Sequence, residues 1–293
     1  MDGIVIGMQS TDAMPSEDAM HSTDAMPSRP VDIRAMVLFL AIAFLAAGAL
    51  GALQPVTGIP GEVLQLTQFG PALGVGLVAV LWPGRVREVL AGSGPGRGGQ
   101  GVLLLVTAPL IIALSAGAYA ALGGDARFTR PGAPFLLIAV AQLIGACGEE
   151  IGWRCFLQPL LRTRCGPLAA SVAVGVAWGG WHVQVFAQHP LYAGAFMLAA
   201  VSMSVVMGWA LEGVRAARLP LAAGFHALIN LGMLLLMDEE SGAVLPMVLF
   251  GASCLAAAGL WTWTWARPRR SVGRPRTAGP APARIPPIMD DVR

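Results

Sequence analysis

Six polar residues in this 293-residue sequence stand where apolar ones are expected. Glu149, Glu150 and Arg154 interrupt an apolar run at 134–161. His182 closes Trp178-Gly-Gly-Trp-His182, and His226 and Asn230 stand in Phe225-His-Ala-Leu-Ile-Asn230. A charged side chain in hydrocarbon costs about 3 kcal/mol even on a lenient insertion scale, so such residues face a bundle interior and carry function. A carboxylate and an imidazole can activate water, and a second imidazole with an amide can stabilise an oxyanion. A Glu with two His is also a metal-ligand set, which keeps zinc open as the alternative.

Spacing assigns partners. Glu150 and Arg154 are four residues apart, share a helix face and can pair. Glu149 points about 100° away from that face and is left free for a cavity. His226 and Asn230 again share one face. Counted from the nearest arginine or glycine boundary, Glu149 lies roughly 20 Å along its helix, His182 roughly 24 Å, Asn230 roughly 18 Å and His226 roughly 12 Å. Three helices can therefore bring these groups to similar depth. Gly148 with Gly152, and Gly175 with Gly179, are small-x-x-x-small pairs that let helix backbones meet. The bland reading is that Glu150–Arg154 is a packing ion pair and each histidine an interhelical hydrogen-bonder.

These positions need elements to hold them. Apolar residues make up 55% of the chain, charged ones 12%, and mean hydropathy is +0.66, which places the chain in lipid. Eight apolar stretches follow residue 34, at 35–53, 63–82, 101–122, 134–161, 168–186, 191–211, 219–237 and 244–265. Each spans or nearly spans ~30 Å of hydrocarbon as a helix. The expected fold is all-α: a polytopic membrane helical bundle of about eight transmembrane helices. The 186–191 connection is short enough to make the fifth and sixth antiparallel neighbours. The domain plan is a disordered tail at 1–34 with a Ser-Thr-Asp-Ala-Met-Pro repeat, a membrane peptidase-like domain at 35–265, and a disordered Arg/Pro-rich tail at 266–293.

All basic residues are arginine. Arg29, Arg34, Arg85, Arg87, Arg97, Arg162, Arg164, Arg215, Arg218 and those from Arg267 onward fall on one side; only Arg127 and Arg130 fall on the other, with Asp238, Glu239 and Glu240. The positive-inside rule makes the rich side cytoplasmic, with both termini there. Glu212 ends the sixth span on that side. Trp261, Trp263 and Trp265 end the last span as an aromatic anchor. Cys147, Cys155, Cys165 and Cys254 have no paired spacing and read as packing residues.

Glu149-Glu150-Ile-Gly-Trp-Arg154 resembles the E-E-x-x-x-R motif of the CPBP family, the CAAX-protease and bacteriocin-processing proteins. Trp178-Gly-Gly-Trp-His182 is similar to its F-x-x-x-H motif, with Trp for Phe, and His226-Ala-Leu-Ile-Asn230 to its H-x-x-x-N. The resemblance covers roughly residues 100–240. It implies an intramembrane glutamate peptidase in which Glu149 and His182 activate water. His226 and Asn230 would donate to the oxyanion, and Glu150 and Arg154 would support the site. It implies no metal and no cofactor.

The expected substrate is a membrane-associated, C-terminal or lipidated peptide of unknown identity, in a multi-pass protein of a bacterial cell membrane. The bilayer is the other partner; no nucleic acid is expected, and the oligomeric state is not legible. Three alternatives remain beside the glutamate peptidase: a zinc-dependent membrane peptidase, a non-catalytic scaffold or immunity protein that keeps the cluster for packing, and a transporter, although the spans show no inverted repeat.

Overall fold

The computed structural model describes residues 30–91, 98–125, 128–214, 216–237 and 242–266; of the two terminal tails assigned above, 1–29 and 267–293 lie outside them, whereas 30–34, expected to be disordered, form the start of α1 and residue 266 ends α10. Among the described residues all regular secondary structure is helical, in the order α1 (Pro30–Thr57), a 3-10 turn Leu66–Phe69 running into α2 (Gly70–Leu81), α3 (Pro83–Ala91) and α4 (Gly98–Ala121). There follow α5 (Phe135–Gly152), a π turn Trp153–Leu157, α6 (Gln158–Arg162), α7 (Pro167–Trp181), a 3-10 turn Val183–Ala187, α8 (Pro190–Ala210), α9 (Arg218–Leu236) and α10 (Val244–Ala266). Prolines open α1, α3, α7 and α8, where the missing N–H costs nothing. Gly58, at φ +68°, takes the left-handed turn just after α1.

Six helices are long and apolar enough to cross a membrane, and two shorter apolar ones, Leu66–Leu81 and Pro167–Trp181, accompany them. The eight stretches read from the sequence are these eight, and the chain is a multi-pass membrane protein. Its outer surface agrees: Val80 is 76%, Leu136 74% and Leu45 70% exposed, an apolar surface that water would penalise and lipid does not.

Side by side, α1 packs on α2, α2 on α5, α5 on α9, α9 on α4, α4 on α10, α10 on α8 and α8 on α7. Glycines permit the closest approaches. A Cβ at Gly148 would meet the Gln68 carbonyl at 2.8 Å, and one at Gly152 would strike Pro71; at Gly175 it would meet Val201 Cα at 2.6 Å, and at Gly179 Met197 Sδ at 2.7 Å. Both glycine pairs therefore serve helix contact, the first against α2 and its leading turn, the second against α8. Phe39, Trp153, Phe156 and Trp181 form the aromatic centre, with ring centroids 5.3–6.1 Å apart.

Three expectations change. The fourth span is not uniformly α-helical, because the π turn at Trp153–Leu157 inserts a wide turn. The fifth ends at Trp181, so His182 is not inside a helix but at its break, at φ −77° and ψ 62°. Gly179 and Gly180 weaken the last turn and Val183 and Val185 disfavour its continuation. Trp261 points inward and donates from Nε1 to Thr107 Oγ1 at 3.2 Å, which ties α10 to α4, while Trp263 is 54% exposed.

Candidate active site

The break after α7, the middle of α5 and the inner face of α9 enclose one cavity of about 290 Å³ whose lining includes Glu149, Trp178, His182, His226 and Asn230. Its lining is rich in amides: Gln65, Gln184 and Gln188, which are exposed, and Gln68 and Gln142, which are buried. The loop after α1 is held against it by Gln54, which donates to the Ile59 and Leu64 carbonyls at 2.9 and 3.0 Å and accepts from Leu66 N at 2.7 Å.

Glu149 is 2% exposed. Sequence spacing leaves it without a partner, but in the fold its Oε2 accepts from Trp178 Nε1 at 2.8 Å. The aromatic residue that departs from the family motif is thus the one that holds the carboxylate. Trp178 also lies edge-on to His182 and His226, at 5.9 and 5.2 Å, and carries the Arg154 guanidinium 4.2 Å over its ring.

Glu150 and Arg154 pair as the spacing predicts, Nη1 to Oε1 at 3.1 Å, with side chains 0% and 1% exposed. The same Oε1 lies 2.8 Å from His226 Nδ1. A carboxylate bonded to guanidinium only accepts, so Nδ1 carries the proton and Nε2 is the nitrogen left for the cavity. Neutral His226 therefore presents a lone pair there; it becomes a donor when protonated, with Glu150 as counter-charge. His182 is ordered by the same logic: Nδ1 lies 2.9 Å from the Trp178 carbonyl, which can only accept, leaving Nε2 as an acceptor. Phe196 and Trp181 close round that ring at 5.0 and 4.9 Å.

Asn230 shares the cavity, and its Nδ2 donates to Gln142 Oε1 at 3.1 Å; Gln142 in turn donates to the Glu62 carbonyl at 3.2 Å. Gln142 went unnoticed in the sequence because a neutral amide does not stand out in an apolar run. Glu149, His182 and His226 share walls without forming a set of three that could hold a metal ion, and the described residues contain no other such set.

Residues 131–232, which contain all three motifs, match the family model described as "Type II CAAX prenyl endopeptidase Rce1-like". The family expected from the motifs is therefore the family matched over this stretch. The chain is 29% identical over 128 residues to CAAX prenyl protease 2 of Methanococcus maripaludis, covering 40% of this chain and 47% of the relative. To lysostaphin resistance protein A of Staphylococcus epidermidis it is 27% identical over 122 residues, and to that of Staphylococcus aureus 25% over 129, covering 31% and 30% of those relatives. The chain thus spans about half the length of the first relative and about a third of the other two.

Proposed function

We propose that this protein hydrolyses a peptide bond at the buried end of the cavity, with water activated by Glu149 and His182 and no metal. The observation that carries this reading is that Glu149, His182, His226 and Asn230, from three separate stretches of chain, line the same cavity. With Oε2 of Glu149 bonded to Trp178, Oε1 is the oxygen for the water, and His182 Nε2 is a second acceptor for its protons. Attack on the carbonyl carbon breaks its π bond and places charge on oxygen. The second N–H of Asn230 and protonated His226 Nε2 are the donors for that oxygen. Collapse of the tetrahedral intermediate re-forms the C=O bond and breaks the C–N bond, as Glu149 gives the proton it took from water to the leaving amine.

The amide-rich lining suits an extended peptide, whose backbone N–H and C=O groups each need a partner once out of water. A lipidated C-terminal peptide is one such substrate; CAAX prenyl protease 2 is named for that chemistry, and the staphylococcal relatives for resistance rather than hydrolysis. The test is cleavage of a peptide library by detergent-purified protein, read by mass spectrometry, for wild type and Glu149→Gln. Wild-type cleavage lost in the variant supports the reading. An inactive wild type that still protects cells from a lytic enzyme sinks it in favour of a scaffold.

A further inference from the structure

At the opposite end of the bundle a second cavity of about 360 Å³ opens between α3, the π turn with α6, the end of α8 and the start of α9. Its wall carries four guanidinium groups, Arg85, Arg154, Arg162 and Arg218, against two carboxylates, Glu88 and Glu212. Three of the arginines are matched: Arg162 forms two bonds to Glu212 at 2.7 and 3.1 Å, Arg85 meets Glu88 at 2.9 Å, and Arg154 meets Glu150. Among the described residues Arg218 donates to the Val214 and Leu211 carbonyls, at 3.0 and 3.5 Å, and no carboxylate pairs with it. It is, among those residues, the one guanidinium of this wall without an ion pair.

The same wall holds buried polar atoms without partners. Among the described residues Arg154, 1% exposed, has no hydrogen-bond partner at Nε or Nη2; Gln158, 6% exposed, donates to Ser171 Oγ at 3.0 Å but has none at Oε1. Buried unsatisfied donors on a guanidinium are costly, and a side chain that carries two of them beside a cavity gains from an anion held there. Gln158 Oε1 adds an acceptor, which a hydroxyl on the ligand would use. The cavity also sits at the arginine-rich end, beside α3, a helix of nine residues that buries Val86 and Val89 and exposes Arg87. Such short amphipathic helices lie at the headgroup level, and basic pockets between spans on the cytoplasmic side take anionic headgroups.

We propose that this cavity binds a singly charged phosphodiester bearing free hydroxyls, as in the headgroup of phosphatidylglycerol, with Arg218 and Arg154 on the phosphate and Gln158 on a hydroxyl. One charge on the ligand gives Arg218 the ion pair it lacks. The site lies two hydrogen bonds from the catalytic cavity, through Arg154, Glu150 and His226, but its existence does not depend on the peptidase reading.

The full chain in neutral detergent is titrated with phosphatidylglycerol, phosphatidylcholine and glycerophosphoglycerol, and bound molecules are counted by native mass spectrometry. One phosphatidylglycerol is retained and phosphatidylcholine is not. Arg218→Gln weakens binding about tenfold or more, as loss of a charge-assisted bond does, while Arg87→Gln, the same charge change at an exposed position, leaves it unchanged. Glycerophosphoglycerol binding as tightly as the lipid supports the site with a soluble phosphodiester as its occupant. Equal retention of both lipids, or equal losses in the two variants, overturns the proposal. If Arg218→Gln does not fold, the wild-type comparison of the two lipids decides. Glu149→Gln binds phosphatidylglycerol like the wild type whether or not it hydrolyses peptides, which separates this proposal from the peptidase reading.

Discussion

Trp178 donates from Nε1 to Oε2 of Glu149 across 29 residues of chain, at 2.8 Å in a buried setting. It fixes which carboxylate oxygen faces the cavity. Trp178→Phe keeps a ring and removes the donor, so turnover falls about tenfold and stability by about 1–3 kcal/mol, the cost of an unsatisfied buried acceptor. Steady-state kinetics with thermal unfolding in detergent check this; unchanged kcat with lowered stability would leave Trp178 a packing residue.

The two acidic residues separate by what each one touches. Glu149→Gln abolishes turnover with little loss of fold, because the amide keeps the shape and loses the base. Glu150→Gln leaves Arg154 and His226 without their shared carboxylate and costs about 3–5 kcal/mol, the range for a broken buried pair. Cleavage and unfolding measured on both variants give opposite patterns, and full activity in Glu149→Gln would remove the catalytic assignment.

Asn230→Ala lowers the rate about a hundredfold, as loss of one oxyanion donor does. Gln142→Ala, which frees the Asn230 amide to turn, lowers it by a smaller factor with KM unchanged. Equal KM rises in both variants would instead make this pair part of substrate binding.

Hydrolysis by Glu149 and His182 predicts activity that survives strong chelation and a metal content well below one per chain. Elemental analysis of active protein measures this. Stoichiometric zinc whose removal abolishes cleavage would move the mechanism to a metallopeptidase.

The arginine distribution predicts that α3 faces the cytoplasm and that the turn after His182 faces outward. On a Cys-free background, Arg87→Cys labels with an impermeant reagent only after lysis, and Val183→Cys labels in intact cells; both side chains are exposed. The reverse pattern inverts the topology.

Much of this architecture was legible because membranes simplify it. A run of about twenty apolar residues has one available conformation, so eight stretches named eight helices. Glu150 with Arg154 was legible because four residues on a helix is a fixed geometry. Pairings across the bundle were not. Trp178 with Glu149, Arg162 with Glu212 and Asn230 with Gln142 join residues 29, 50 and 88 positions apart, and no local period encodes them. The break at His182 was hidden for another reason: Val183 to Ala187 are as apolar as a span, and hydropathy does not separate an α-helix from a 3-10 turn.

The π turn at Trp153–Leu157 amounts to one residue spliced into an otherwise α-helical rod. An α-helix advances about 100° per residue, so that insertion sets the phase between the two halves of the rod. Upstream, Glu149 and Glu150 address Trp178 and His226; downstream, Gln158 addresses Ser171 and Arg162 addresses Glu212. Excising a single residue from the turn would leave every side chain in place in the list and swing the downstream set out of register with the upstream one. Glu149 with Glu150 and the arginine-lined cavity are thus keyed to each other by chain count, and the spacing between them tolerates substitution more readily than deletion.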